Sequence, residues 1–181
     1  METTISTSCG EVIIRPTREA DAAALRELRL EALWMHPESF SSDHATSAAR
    51  PASYWVERAQ LGNGERNQIT CVAQSAAGGE LVAMCGLYRE EESKLRHSAN
   101  LWGVYVRPAW RGLRIADALI DACENWARQR DIQIIRLAVV DTNHAAIRCY
   151  QRRGFIAYGK APDVLRINGR QYDELLMAKR L

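Results

Sequence analysis

The stretch Val104-Tyr105-Val106-Arg107-Pro108-Ala109-Trp110-Arg111-Gly112-Leu113-Arg114-Ile115-Ala116 decides how this chain is read. Residues 101–106 form a nearly continuous apolar run, the pattern of a central strand covered on both faces. Pro108 stops that strand because it cannot supply the next ladder donor. From 112 to 130 the pattern turns helical, with Ile115, Leu119, Ala122 and Trp126 on one face. The turn between them carries three arginines and no acid. Backbone N–H groups left free by a first helical turn, together with the helix dipole, make an anion site. Arg107, Arg111 and Arg114 concentrate positive charge there, and Gly112 lets a ligand approach the backbone. A diphosphate is the natural guest. The competing reading is an ordinary strand–helix connection with solvated arginines.

Working outward, residues 134–140 read as a second buried strand. Residues 143–153 then read as a short helix, with Asn143 as N-cap and Gly154 just past the end. Asn143 and Tyr150 are two helical turns apart, so they share a face about 10 Å from each other along the axis. A Tyr hydroxyl, with an unperturbed pKa of about 10, can donate a proton to a thiolate leaving group. Taken alone, Tyr150 reads equally as a core aromatic with a wet hydroxyl. Asn168-Gly169 marks a hairpin turn between strands at 164–167 and 172–177.

Upstream, 12–15 is a short strand ended by Pro16. A helix follows with Leu25, Leu28 and Ala32 on one face, stopping near Pro37. Residues 41–53 read as a loop. A second helix over 54–61 closes at Gly62-Asn63-Gly64. Strands at 69–74 and 81–87 join through Gly78-Gly79, and Glu90-Glu91-Glu92 marks an exposed loop. The order of elements predicts a mixed α+β fold.

Composition bounds the function. The chain has 181 residues, with 24 Lys+Arg against 22 Asp+Glu and a formal net charge of +2. That balance does not argue for a nucleic-acid partner. At 47% hydrophobic and 25% charged, the composition excludes global disorder or a collagen-like repeat. Cys9, Cys71, Cys85, Cys123 and Cys149 are too scattered for a zinc site, and free thiols fit a reducing cytoplasm. No run of 18 apolar residues and no basic-then-apolar N-terminal segment is present, so neither a membrane span nor a secretory signal is expected. The expectation is one domain over residues 1–181, cytoplasmic, with no metal, nucleic-acid or membrane partner.

Taken together, the strand ending in Val104, Tyr105 and Val106, the turn Arg111-Gly112-Leu113-Arg114-Ile115-Ala116, and Asn143…Tyr150…Gly154-Phe155 resemble the acetyl-CoA-binding half of the GNAT family of N-acetyltransferases. The opening Ile14-Arg15-Pro16, with Asp21 and a helix behind it, resembles the family's usual start. The resemblance implies a mostly antiparallel central sheet flanked by helices, the acyl-CoA N-acyltransferase fold. It implies acetyl-CoA lying in a splay between the strand of Val104 and the strand over 134–140. Val104, Tyr105 and Val106 would line the pantetheine, with the backbone of Tyr105 and Val106 pairing with its amides. The segment Arg111, Gly112, Leu113, Arg114, Ile115, Ala116 and Asp117 would bind the pyrophosphate, and Asn143 would contact the cofactor's arm. A primary amine would attack the acetyl carbonyl directly, with Tyr150 protonating the departing sulfur and backbone donors near Val106 stabilising the oxyanion.

Two departures from the family pattern stand out. Arg114 sits where the family usually has glycine; a helical backbone there needs no positive φ, so its amide is expected to donate and its guanidinium to reach a phosphate. Ala138 sits where the branch acting on ribosomal-protein N-termini often has a glutamate base. His97, Asp141, His144 or water could then remove the amine's proton, and Asp173 and Glu174 could meet a cationic substrate. A thiol-nucleophile role for Cys149 has no partner pattern behind it. The leading reading is an acetyltransferase for a small amine. The alternatives are a peptide or protein amine acceptor, an idle acyl-CoA sensor, and an unrelated nucleotide-phosphate binder. A homodimer through exposed strand edges is compatible with the resemblance.

Overall fold

The computed structural model describes residues 2–63 and 67–181; Gly64, the last residue of the turn expected after the second helix, lies outside them. Its strands are β1 (Thr3–Thr7), β2 (Gly10–Pro16), β3 (Gln68–Ser75), β4 (Leu81–Arg89), β5 (Ser98–Val106), β6 (Ile134–Val140), β7 (Ile156–Ile167) and β8 (Arg170–Arg180). The helices are α1 (Ala22–Met35), α2 (His44–Ala48), α3 (Ala52–Gln60), α4 (Ile115–Arg128) and α5 (His144–Arg152). The eight strands form one sheet in the order β1-β2-β3-β4-β5-β6-β8-β7. Every neighbouring pair is antiparallel except β5 and β6, which run parallel.

Alternation along the central strands divides the core between two faces. Cys71, Ala73, Cys85 and Leu87 pack with Ile115, Leu119, Cys123 and Trp126 of α4. Val72, Leu81 and Met84 turn the other way and pack with Leu25, Leu28 and Ala32 of α1 and Ala59 of α3. Each fully buried Leu such as Leu28 or Leu119 contributes about 2 kcal/mol of apolar burial. Beneath α1, the Arg15 guanidinium donates two hydrogen bonds to the Asp21 carboxylate at 2.7 and 2.8 Å, joining β2 to the helix entrance.

Several elements differ from the sequence expectation. β1 is added at the sheet's edge; only Ile5 of Thr3–Thr7 packs against the core, so it carries no apolar period. The expected loop over 41–53 contains α2, capped by the Asp43 carboxylate accepting from the Thr46 amide at 2.8 Å, and the start of α3. β7 begins at Ile156 rather than 164, because register shifts near Gly159 and between Ala161 and Leu165 break the period that alternation relies on. α4 begins at Ile115 rather than Gly112. β5 is covered on both faces only over its first half.

Candidate active site

That half-covered strand opens the site. β5 and β6 pair only from Ser98, Ala99 and Asn100 to Ile134, Ile135 and Arg136, and then part. A β-bulge in β5, opposite Cys85, helps turn the strand away: Gly103 holds φ +65° where the register with β4 shifts. A cleft of about 710 Å³ lies where the strands diverge. Val104, Tyr105 and Val106 line it from β5, the 110–117 segment from one end, and Thr142, Asn143 and α5 from the other side.

The turn into α4 supplies anion-binding groups. The first helical hydrogen bond runs from the Ala118 amide to the Arg114 carbonyl at 3.2 Å, so the amides of Ile115, Ala116 and Asp117 have no helical acceptor. Gly112 (φ +80°) and Arg114 (φ 59°, ψ 19°) are both left-handed. The expectation of a helical backbone at Arg114 is therefore corrected. The chain turns from strand to helix through αL there, a conformation that costs a side-chain-bearing residue about 1 kcal/mol.

The three arginines separate. Arg107 turns away, pairing with Glu31 at 3.0 Å and Glu80 at 3.2 Å, and does not line the cleft. Arg111 lies in the cleft, with Nε donating to the Val106 carbonyl at 3.0 Å and its guanidinium 5.8 Å from the Tyr105 ring centre. Arg114 lines the cleft with no ion-pair partner among the described residues. Leu113 packs against the main core rather than lining the cleft. The Asp117 carboxylate is held by Arg152 at 3.3 Å, leaving its amide as the group free to donate. Tyr105 donates its hydroxyl to Glu31 at 2.9 Å; burial, followed by that carboxylate, pushes the phenol up to about 12.

α5 closes the opposite wall. Asn143 caps it as expected: Oδ1 accepts from the Ala146 amide at 3.2 Å, while Nδ2 donates to Ser39 at 3.4 Å and ties the helix start to the segment after α1. Tyr150 is 8% exposed, lines the cleft, and stacks edge-on to Phe155 at 5.9 Å. Its hydroxyl has no hydrogen-bond partner among the described residues. Burial first, and the nearby Cys85 and Cys149 thiols after it, push the phenol well above its usual range and keep it protonated. Burial likewise raises Cys149, which argues against a thiolate.

None of the residues expected to compete for the amine's proton lines the cleft. His97 is exposed at the start of β5, the far end of the strand from Val106. Asp141 pairs with Lys160 at 2.8 Å, and His144 is exposed on α5. Ala138 is exposed on β6. Asp173 also holds Lys160, and Glu174, raised by burial, stands outside the cleft. Sequence reasoning missed several cleft residues, among them His36, Glu38, Arg148 and Arg152. His36 Nε2 lies 2.8 Å from Arg111 Nη2. A guanidinium can only donate, so Nε2 is the accepting side of this contact, while Nδ1 lies 3.7 Å from the Glu38 carboxylate. The arginines of α5 were legible only as helix-surface cations, because nothing local says which face meets the cleft.

Residues 24–155 match the model of the acetyltransferase (GNAT) family. A curated relative, mycothiol acetyltransferase from Sanguibacter keddieii, is 26% identical over 137 residues, 75% of this chain; the chain spans about 40% of that protein's length. An acetyltransferase structure of the same family from Streptococcus pneumoniae superposes with a TM-score of 0.83 at 22% identity, covering 94% of this chain and 99% of that one. An acetyltransferase from Salmonella typhimurium, solved with acetyl-CoA, gives 0.80 at 20% identity and 94% coverage of both chains. A ribosomal-protein-alanine N-acetyltransferase from Brucella melitensis gives 0.72 at 26% identity, covering 93% and 99%.

Proposed function

Because this chain belongs to the acetyltransferase (GNAT) family, we propose that it moves an acetyl group from acetyl-CoA directly onto the primary amine of a small acceptor, as a single domain in the cytoplasm. One observation carries the reading. A single cleft holds unpartnered helix-start amides, the uncompensated Arg114 and, across from them, the hydroxyl of the largely buried Tyr150, with no hydrogen-bond partner among the described residues.

The cleft suits acetyl-CoA at its anionic end: the amides of 115–117 point donors to a pyrophosphate, with Arg114 and Arg148 supplying charge. Bound there, acetyl-CoA would supply an activated thioester. Val104 and Tyr105 offer strand backbone to the cofactor's amide arm, where pairing with β6 has ended. Arg111 occupies the Val106 carbonyl and is the side chain that must swing toward the phosphates for that arm to lie down. Tyr150, kept neutral by burial, holds the proton that the leaving sulfur requires. With no carboxylate at Ala138, and the cleft's Glu38 carboxylate 3.7 Å from the His36 ring, the amine gives its proton to solvent in the cleft. The five free cysteines support a reducing compartment. β7, the sheet's outer strand, exposes Ile156 and Tyr158, which supports pairing with a second copy.

The test is a thermal-shift comparison followed by turnover. Acetyl-CoA should raise the melting temperature where ATP and NAD do not, and a panel of amines should release free CoA thiol. Equal shifts from all three nucleotides remove the cofactor reading. Binding without thiol release from any amine favours an acyl-CoA sensor.

A further inference from the structure

A second, smaller pocket lies on the α1–α3 side of the sheet, about 40 Å³ in volume, between Arg29, Arg58, Tyr54, Trp55 and Trp102, with Ser42 before α2 and Ser47 within it. That is room for a few atoms, the size of one polar head group. Its chemistry is one-sided. Among the described residues, two guanidinium groups line it and no Asp or Glu does. Neither arginine has an ion-pair partner among the described residues; Arg58 lies 4.6 Å from the Trp102 ring centre and Arg29 4.6 Å from that of Phe40. Arg29 Nη1 and Trp55 Nε1 are both buried with no hydrogen-bond partner among the described residues, and Trp55 is only 4% exposed. Burial, then the like charge of Arg58, lowers the Arg29 guanidinium to about 10, the mark of a cation lacking its counter-ion.

Unpaired buried donors are rare in native proteins and call for an acceptor. Two of them, one on Arg29 itself, together with the second cation Arg58, call for an anion that accepts on several lone pairs, which a carboxylate does. The pocket also has a particular place. Gly103 lines it, with an added Cβ there lying 3.8 Å from Arg29 Nη1, while the next residue, Val104, lines the acetyl-CoA cleft. Gly86, opposite, leaves the space that the Trp102 ring fills; a Cβ there would come within 2.2 Å of it.

We propose that this pocket binds the carboxylate of an amino-acid-like acceptor between Arg29 and Arg58, presenting its amine past the Gly103 bulge to the acyl end of the cleft. The inference rests on the acetyltransferase reading and names the substrate class for it. The acceptor nitrogen forms the bond to the acetyl carbon as the carbon–sulfur bond breaks. The nitrogen loses one proton to solvent, and the sulfur gains one from Tyr150, which solvent then restores.

The experiment pairs each of several α-amino acids with its own amide at saturating acetyl-CoA, reading free thiol. The acid should exceed the amide in kcat/KM by roughly 100-fold, the worth of charge-assisted hydrogen bonds. Arg29→Gln and Arg58→Gln should each shrink that ratio at least tenfold, with acetyl-CoA affinity unchanged. Amides acetylated as well as acids, or variants that lower both equally, overturn the proposal. Independently of turnover, quenching of the Trp55 and Trp102 fluorescence should saturate with the acid and not with the amide; no difference between them also overturns it. Should Arg29→Gln fail to fold, Arg58→Gln and the fluorescence titration decide. Failure of acetyl-CoA to bind would sink the acetyltransferase reading while the acid-against-amide quenching still judges the pocket.

Discussion

Replacing Arg114 tests how the turn into α4 balances stability against ligand charge. The residue sits at φ 59°, ψ 19° as the N-cap of α4, so it carries two costs. A Cβ in the left-handed region costs about 1–2 kcal/mol, partly offset in a glycine variant by the greater chain entropy of its unfolded state, roughly 0.5–1 kcal/mol. A cation at the positive end of a helix dipole costs a further 0.3–1 kcal/mol or so. Arg114→Ala removes only the charge, whereas Arg114→Gly removes charge and Cβ together. The glycine variant should therefore be about 1 kcal/mol more stable than the alanine variant. For a chain of this size that corresponds to a melting temperature roughly 2–4 °C higher by calorimetry. Both variants should bind acetyl-CoA more weakly, about 5- to 30-fold for one lost charge-assisted contact, with a flatter salt dependence. A glycine variant that melts no higher than the alanine variant refutes the strain argument. Unchanged acetyl-CoA affinity in both refutes the phosphate contact.

Other outcomes follow from the same geometry. Tyr150→Phe should keep acetyl-CoA affinity and lose turnover by about 10²–10⁴-fold, read by thiol release; an unaltered rate dismisses Tyr150 as the acid. If solvent takes the amine's proton, the acidic limb of the pH–rate profile should move with the pKa of each amine tried and stay put in His97→Ala. A limb fixed across amines would instead implicate a protein base, the His36 imidazole and the Glu38 carboxylate both lining the cleft. Burial alone would raise the Asp21 carboxyl, but the hydrogen bonds and charge of Arg15, with the Arg18 amide, outweigh it and the net shift is downward. A depressed folded-state pKa contributes stability above about pH 4 that is lost as pH falls through it. Asp21→Asn should therefore flatten acid unfolding and, by leaving Arg15 buried and unpaired, cost about 3 kcal/mol at neutral pH, visible in urea melts. Asn143→Ala should cost about 1 kcal/mol of helix capping; a full-strength melt would remove the cap from the account.

What the sequence determined by itself is whatever neighbours along the chain enforce. The cap at Asn143, the hairpin at Asn168-Gly169, the β6 span and the buried face of α4 all appear where local chemistry puts them. The strand–turn–helix order of the segment that lines the cleft is local too, although α4 starts at Ile115 and Arg114 turns through the left-handed region. Only the tertiary structure decided which cations are spoken for. Arg107 is neutralised by Glu31 and Glu80, and Asp117 by Arg152, whereas Arg114 is left to the cleft. It also decided that Glu124, on the buried face of α4, is satisfied by Lys179 at 2.5 Å and by Arg128 and Arg153. And it brought Arg29, Arg58 and Trp102 from three distant segments to one small pocket. The reason is physical: dihedral preference and periodicity act over a few residues, whereas charge pairing and cavity shape depend on distances that exist only once the sheet has assembled.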